Sequence, residues 1–204
     1  NRNYSTQCVM ITSGTGQEGR STVASQLAVS MARAGKTTLL IDADLRNPQQ
    51  HTIFGVQPHG GLSEMLRGEQ TSDQAIVATA VENVWLLSTG HCDQAALQGL
   101  SGDQAKAVFQ DLRDRFDMII LDASPVLTSP DALLTGQHAD AAIVSVRRDV
   151  SQLPKVKATL DRLASVGIPV LGAVVNGPSV ELRSSETAIV QAETSDEQPA
   201  LTNA

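Results

Sequence analysis

The sequence predicts an α/β fold in which a mostly parallel sheet is covered by helices on both faces. Three observations predict it. Short, nearly continuous apolar runs alternate with segments of helical period along the chain, the pattern of strands buried on both faces and joined through crossover helices. A glycine-rich turn lies between the first apolar run and the first helical segment, and two later runs end in aspartate. In an open parallel sheet the carboxyl ends of neighbouring strands meet in one crevice, so the turn and the aspartates are expected together.

Residues 8–12 read as the first strand, and residues 21–34 as a helix presenting Val23, Leu27 and Met31 on one face. Gly35 then supplies the left-handed cap residue that ends a helix. Residues 37–41 form the next strand. Residues 48–83 belong to the rim, where Pro58, Gly60 and Gly61 interrupt the pattern before short helical stretches at 62–67 and around 73–80. Residues 84–87 return to a strand, with Trp85 packed on it. Val108, Phe109, Leu112 and Phe116 mark a second long helix; residues 118–121 and 141–146 are strands; Leu153, Val156, Leu160 and Leu163 mark a third helix, closed by Gly167. A last strand covers 169–175. The folded domain is expected to span 1–178. Residues 179–204 carry five acidic residues and one arginine with little large apolar content, which predicts a mobile acidic tail.

At 204 residues the chain suits one α/β domain. Its formal charge of -7 argues against a nonspecific hold on nucleic acid or anionic lipid. Cys8 and Cys92 lack metal-ligand spacing, and a cysteine in a buried strand fits a reducing compartment. No apolar run approaches a membrane span, and residues 1–6 lack the apolar segment of a signal peptide. The absence of an initiator Met, with a core strand almost at the start, predicts a piece of a longer chain whose membrane segment, if any, lies upstream.

Residues 14–22 read GTGQEGRST. In the pattern G-x-x-x-x-G-K-[ST], Gly14 and Gly19 hold the glycine positions and Ser21 the hydroxyl position, while Arg20 stands where lysine is expected. Such a turn folds its N–H groups round a phosphate, and the helix behind it adds the positive end of its dipole. Gly14, Thr15, Gly16, Gln17, Glu18, Gly19, Arg20, Ser21 and Thr22 are therefore the candidate nucleotide-binding residues of a P-loop NTPase type of fold. Taken alone, the motif is equally an ordinary strand-to-helix turn. The two aspartate motifs favour the phosphate cradle. Asp42 and Asp44 lie just beyond one buried strand, and Asp122 ends another. Mg²⁺ prefers hard oxygen ligands and completes its shell with water and substrate phosphates. Ser21 and Asp122 suit direct ligation and Asp44 ligation through water, whereas Asp42 suits orienting or deprotonating the nucleophile. Arg20, Asp42 and Asp44 are accordingly the candidate catalytic residues. His51, His59, His91 and His138 show no metal spacing, and His91 beside Cys92 reads as a surface pair.

The phosphate loop, the hydrophobic-D-x-D-x-R motif at 39–46 and the hydrophobic-D-x-x-P motif at 119–125 resemble the three-part signature of bacterial tyrosine kinases that govern capsule and exopolysaccharide synthesis. Similarity extends to GLSEMLRGE at 61–69, SPVLTSPDALL at 124–134 and GIPVLGAVVNG at 167–177. The resemblance covers roughly residues 8–178. It implies a branch of the deviant P-loop ATPases, with ATP and Mg²⁺, phosphoryl transfer to protein tyrosine, and control of polysaccharide polymerisation and export. Asn176 matches the position expected to read adenine. The implied partners are a membrane polysaccharide co-polymerase or activator domain, in cis upstream or in trans, and a tyrosine-containing protein; nucleic acid is not among them, and a homo-oligomer is compatible. The implied location is the cytoplasm, at the inner face of the cell membrane.

Three departures accompany the likeness. Arg20 replaces a flexible point charge with a planar fork, and the two are not equivalent at a transferring phosphate. Tyr4 is the single tyrosine, so the tail carries no tyrosine cluster, and residues 1–6, ahead of the first strand, are too short to hold the family's oligomerisation motif. The leading expectation is a tyrosine-kinase domain with turnover weakened by Arg20. A degenerate ATP-binding scaffold of the export machinery is the alternative. A partitioning-type ATPase is disfavoured by Thr15, which stands where those proteins carry a further lysine, and by the acidic charge.

Overall fold

The computed structural model describes residues 6–177; the expected acidic tail at 179–204 lies outside them. In chain order the elements are β1 (Cys8–Ser13), α1 (Arg20–Arg33), β2 (Thr38–Ala43), α2 (Gln50–Ile53), α3 (Leu62–Leu66), α4 (Ser72–Ala75), β3 (Ile76–Ala78), β4 (Val84–Leu87), α5 (Gln94–Gly99), α6 (Asp103–Arg115), β5 (Met118–Ala123), α7 (Asp131–Gly136), β6 (Ala141–Arg147), α8 (Leu153–Ser165) and β7 (Val170–Asn176). The strands form one seven-stranded sheet in the order β3-β4-β2-β5-β1-β6-β7. All neighbours are parallel except the β3–β4 pair at one edge.

Side chains of successive strand residues leave opposite faces, and each face has its own core. Cys8 and Met10 of β1, Leu39 and Ile41 of β2 and Ile119 and Leu121 of β5 pack with Leu62, Phe109 and Leu112 on one face. Val9, Ile11, Leu40 and Ile120 pack on the other face with Val23, Ala24 and Ala28 of α1. This doubly covered sheet explains why the strand sequences run apolar without alternation. The small alanines let α1 approach closely. Gly35 and Gly167 sit at positive φ behind α1 and α8, as the cap pattern predicted.

The rim differs from its sequence reading in one respect. The helical stretch expected around 73–80 stops at Ala75, and Ile76–Ala78 become the antiparallel strand β3. Ile76 and Val77 are β-branched, and pairing with Leu87 and Leu86 satisfies their backbone in place of the expected helix. Trp85 lies on β4 as expected but is 38% exposed. Among the described residues no helix is long and apolar enough to cross a membrane.

Candidate active site

The parallel register brings β1, β2 and β5 to one end together. Asp42 stands opposite Asp122 across β2 and β5, and β1 beside them runs directly into the loop at 14–19. The loop enters α1 through Gly19 at φ 80. A Cβ there would meet Asn176 Nδ2 at 2.8 Å, so both backbone conformation and space require glycine. No side chain caps α1, and its first turn has no acidic residue. The amino end of a 14-residue helix is thus left with its N–H groups and dipole facing the loop.

Glu18 braces the loop from inside. Its Oε2 accepts from the Thr15 N–H at 2.8 Å, and its Oε1 accepts from the Ser151 hydroxyl. Its carbonyl accepts from Ser145 Oγ at 2.6 Å and from Asn176 Nδ2 at 3.1 Å. Asn176, expected to read adenine, therefore lies against the loop with its amide N–H groups holding Glu18 and Ser145. Gly16 and Gln17 form the exposed tip, and Thr22 is exposed on α1.

Arg20 turns toward the acids. Its Nη2 pairs with Asp44 Oδ2, and its Nε lies 3.6 Å from Asp122 Oδ1, near enough for attraction but too far for a hydrogen bond. Arg20 Nε and Nη1 and Asp122 Oδ1 are buried without hydrogen-bond partners. Asp44 Oδ1 accepts from Ser124 Oγ at 2.9 Å and from the Asn47 N–H at 3.2 Å. Asp122 Oδ2 accepts from Gln50 Nε2 at 2.7 Å, and the Ser21 hydroxyl acts to lower the pKa of this carboxyl. Burial raises the Asp122 pKa, against the pull of Arg20 and these donors. Asp42 is held differently: its Oδ2 accepts from the Gln49 and Gln50 N–H groups, each at 2.8 Å, at the start of α2, and its Oδ1 has no partner. Burial pushes its pKa up to about 7, with the charge of Asp122 adding to the rise against the backbone donors.

All the acids singled out in the sequence thus lie at the loop's end of the sheet, and Arg20, Ser21, Asp44 and Asp122 form one connected group. Sequence reasoning missed Gln50, fully buried and bonded to both Asp122 and the Ser21 carbonyl. A glutamine in the rim gives no local signal. Ser124 was legible in the D-x-S-P run but was not singled out, and Glu18 was read as a generic loop position rather than its brace. His91 is exposed and carries no metal set; among the described residues no three His, Cys, Asp or Glu side chains could hold an ion. Magnesium takes few protein ligands and fills its shell with water and phosphate. The orphaned Asp122 Oδ1 and Arg20 donors are the valences that a cation and a phosphate would satisfy.

A strand running through a glycine-rich turn into an uncapped helix, with acids at the ends of β2 and β5, defines a P-loop NTPase. The ParA family, described as a NUBPL iron-transfer P-loop NTPase, matches residues 5–198. The chain is 33% identical over 176 residues to the tyrosine-protein kinase YwqD of Bacillus subtilis, covering 86% of this chain and 74% of YwqD. It is 31% identical to the tyrosine-protein kinase ptk of Acinetobacter johnsonii over 78% of this chain, but spans only 22% of ptk. The solved kinase domain of the Escherichia coli tyrosine kinase ETK superposes with a TM-score of 0.81 at 26% identity, covering 97% of this chain and 74% of that domain. The chain belongs to the bacterial tyrosine-protein kinase family within the P-loop NTPases.

Proposed function

We propose that this chain is an ATP-dependent protein-tyrosine kinase domain serving capsule or exopolysaccharide synthesis and export. The observation that carries this reading is the convergence of Ser21, Asp44 and Asp122 on Arg20 at the uncapped start of α1. Backbone N–H groups of residues 14–22 would hold the phosphates, Arg20 would donate to them through its unpartnered nitrogens, and Asn176 would border the base. Mg²⁺ would be held by Ser21 and Asp122 directly and by Asp44 through water, and would neutralise charge on the phosphates. Asp42, with a pKa of about 7, suits the part of general base toward a tyrosine hydroxyl. Gln50 ties the elements together by bonding Ser21 and Asp122 at once.

Tyr4 is the only tyrosine in the sequence, so any other acceptor lies on another polypeptide or on a part of the protein beyond this sequence. The fitting partner is a membrane polysaccharide co-polymerase or activator domain, with this domain at the inner face of the membrane. Transfer of labelled γ-phosphate from Mg²⁺-ATP to an added tyrosine-containing acceptor tests the reading. Transfer by the native chain that is lost in Asp42→Ala supports it. One observation favours a second reading: Arg20 is engaged by Asp44 and Asp122 rather than left free as a point charge. A nucleotide-binding scaffold would bind ATP yet transfer nothing, even with Arg20→Lys.

A further inference from the structure

Arg20 occupies a position between two groups that would each claim a cation. Its guanidinium faces Asp44 and Asp122, whose side chains are 2% and 1% exposed while its own is 13% exposed. Two carboxylates this deeply buried are costly together unless a positive charge accompanies them. Arginine supplies that charge, and its planar fork lets one end pair with Asp44 while Nε lies against Asp122. A lysine ammonium is a compact point charge without that planar fork.

We propose that Arg20 is an internal competitor of Mg²⁺, a counter-ion that fills the acidic site in the nucleotide-free protein and yields it when phosphates draw the guanidinium away. The inference rests on the nucleotide-site reading above. Two observations support the exchange. Arg20 Nε and Nη1 are buried without partners, so the pairing with the acids leaves donors that only a further acceptor at the loop can satisfy. The Asp122 carboxylate is meanwhile fixed by Gln50, and Asp44 by Ser124 and the Asn47 N–H, so both acids keep their places if the guanidinium leaves. A divalent cation approaching the same carboxylates while Arg20 is present meets a like charge in a poorly screened setting. Metal alone is therefore excluded, and nucleotide admits it.

The test is Mn²⁺ binding without nucleotide, read by the loss of the free-ion paramagnetic resonance signal. Native protein is expected to bind Mn²⁺ weakly and Arg20→Ala about tenfold or more tightly, with the gain abolished in Arg20→Ala/Asp122→Asn. Equal affinity of native protein and Arg20→Ala overturns the proposal. A second measurement uses native protein alone, labelled at arginine with ¹⁵N. ADP in EDTA is expected to move the Arg20 Nε–H resonance, and Mg²⁺ alone to leave it in place; movement by Mg²⁺ alone, or none with bound ADP, overturns the proposal. Fluorescent ATP-analogue binding to the same sample separates the two ideas. Failure to bind it contradicts the nucleotide site, whereas binding with unchanged Mn²⁺ affinity contradicts only the competitor role.

Discussion

Two arginine–aspartate pairs stand at opposite ends of the same sheet and differ in what they leave unsatisfied. At the amino end, Arg113 of α6 grips Asp140 with both terminal nitrogens, at 2.8 and 3.1 Å, and also donates to the His138 carbonyl at 3.0 Å. Asp140 Oδ2 in turn accepts from the Gln7 and Cys8 N–H groups, each at 2.8 Å, tying β1 to the start of β6. Burial pushes the Asp140 pKa up, but Arg113 and those N–H groups outweigh it, and the carboxyl ends below its ordinary value. At the carboxyl end, Arg20 has two buried nitrogens without partners, and Asp122 remains raised. A closed pair joins elements; an open one waits for a ligand. The same residue types therefore serve structure at one end and chemistry at the other.

The sharpest break in the comparison is expected from Asp122→Asn. Labelled phosphate transfer should fall by about 10²-fold or more, because the charge that holds metal and positions phosphate is gone. The matching change at the other end, Arg113→Ala, should cost about 2–3 kcal/mol of stability in urea unfolding, since Asp140 loses its charged partner in a partly buried setting. Nucleotide affinity should stay within about twofold, because distant sites act independently. If Arg113→Ala instead weakened nucleotide binding strongly, the division between the two pairs would be wrong.

Asp42 sharpens the comparison through pH. Its folded pKa of about 7 lies above the ordinary aspartate value of 3.8. Between those values the folded chain keeps a proton that the unfolded chain has released, so stability should fall as pH rises from about 4 to about 7 and level off above. Asp42→Asn keeps an oxygen for the Gln49 and Gln50 N–H groups while removing this slope. It should be more stable than the native chain at pH 8, by about 1–3 kcal/mol, and no more stable at pH 4. Urea midpoints at both pH values check the sign. A smaller effect, about 1–2 kcal/mol, is expected for Gly19→Ala, which combines positive φ with the close approach of Asn176. Arg113 and Asp140 lie outside that contact, so the same variant should loosen the loop's hydrogen exchange and leave the amino end of β1 protected.

The two ends were not equally legible in the sequence. The strands were readable because a doubly covered sheet demands unbroken apolar runs, and the loop because two aspartate-ended strands set its glycine spacing apart from an ordinary turn. Asp42, Asp44 and Asp122 followed from their place at strand ends. Gln50 did not, since its value comes from reaching both Ser21 and Asp122 across the fold, and no local pattern encodes that reach. The Arg113–Asp140 pair was equally silent, because a helix arginine and a pre-strand aspartate are ordinary until β1, α6 and β6 are assembled. The short strand β3 was hidden by Ala75, Ala78 and Ala80 around Ile76 and Val77, good helix formers that read as helix until pairing with β4 decides the matter.

The open valences of Arg20 are made for phosphate, and the closed ones of Arg113 are not. The most direct measurement is the affinity for a fluorescent ADP analogue in EDTA, so that metal contributes nothing, for the native chain, Arg20→Ala and Arg113→Ala. The account predicts about a tenfold or greater loss in Arg20→Ala and none beyond about twofold in Arg113→Ala. Unchanged affinity in Arg20→Ala would contradict it.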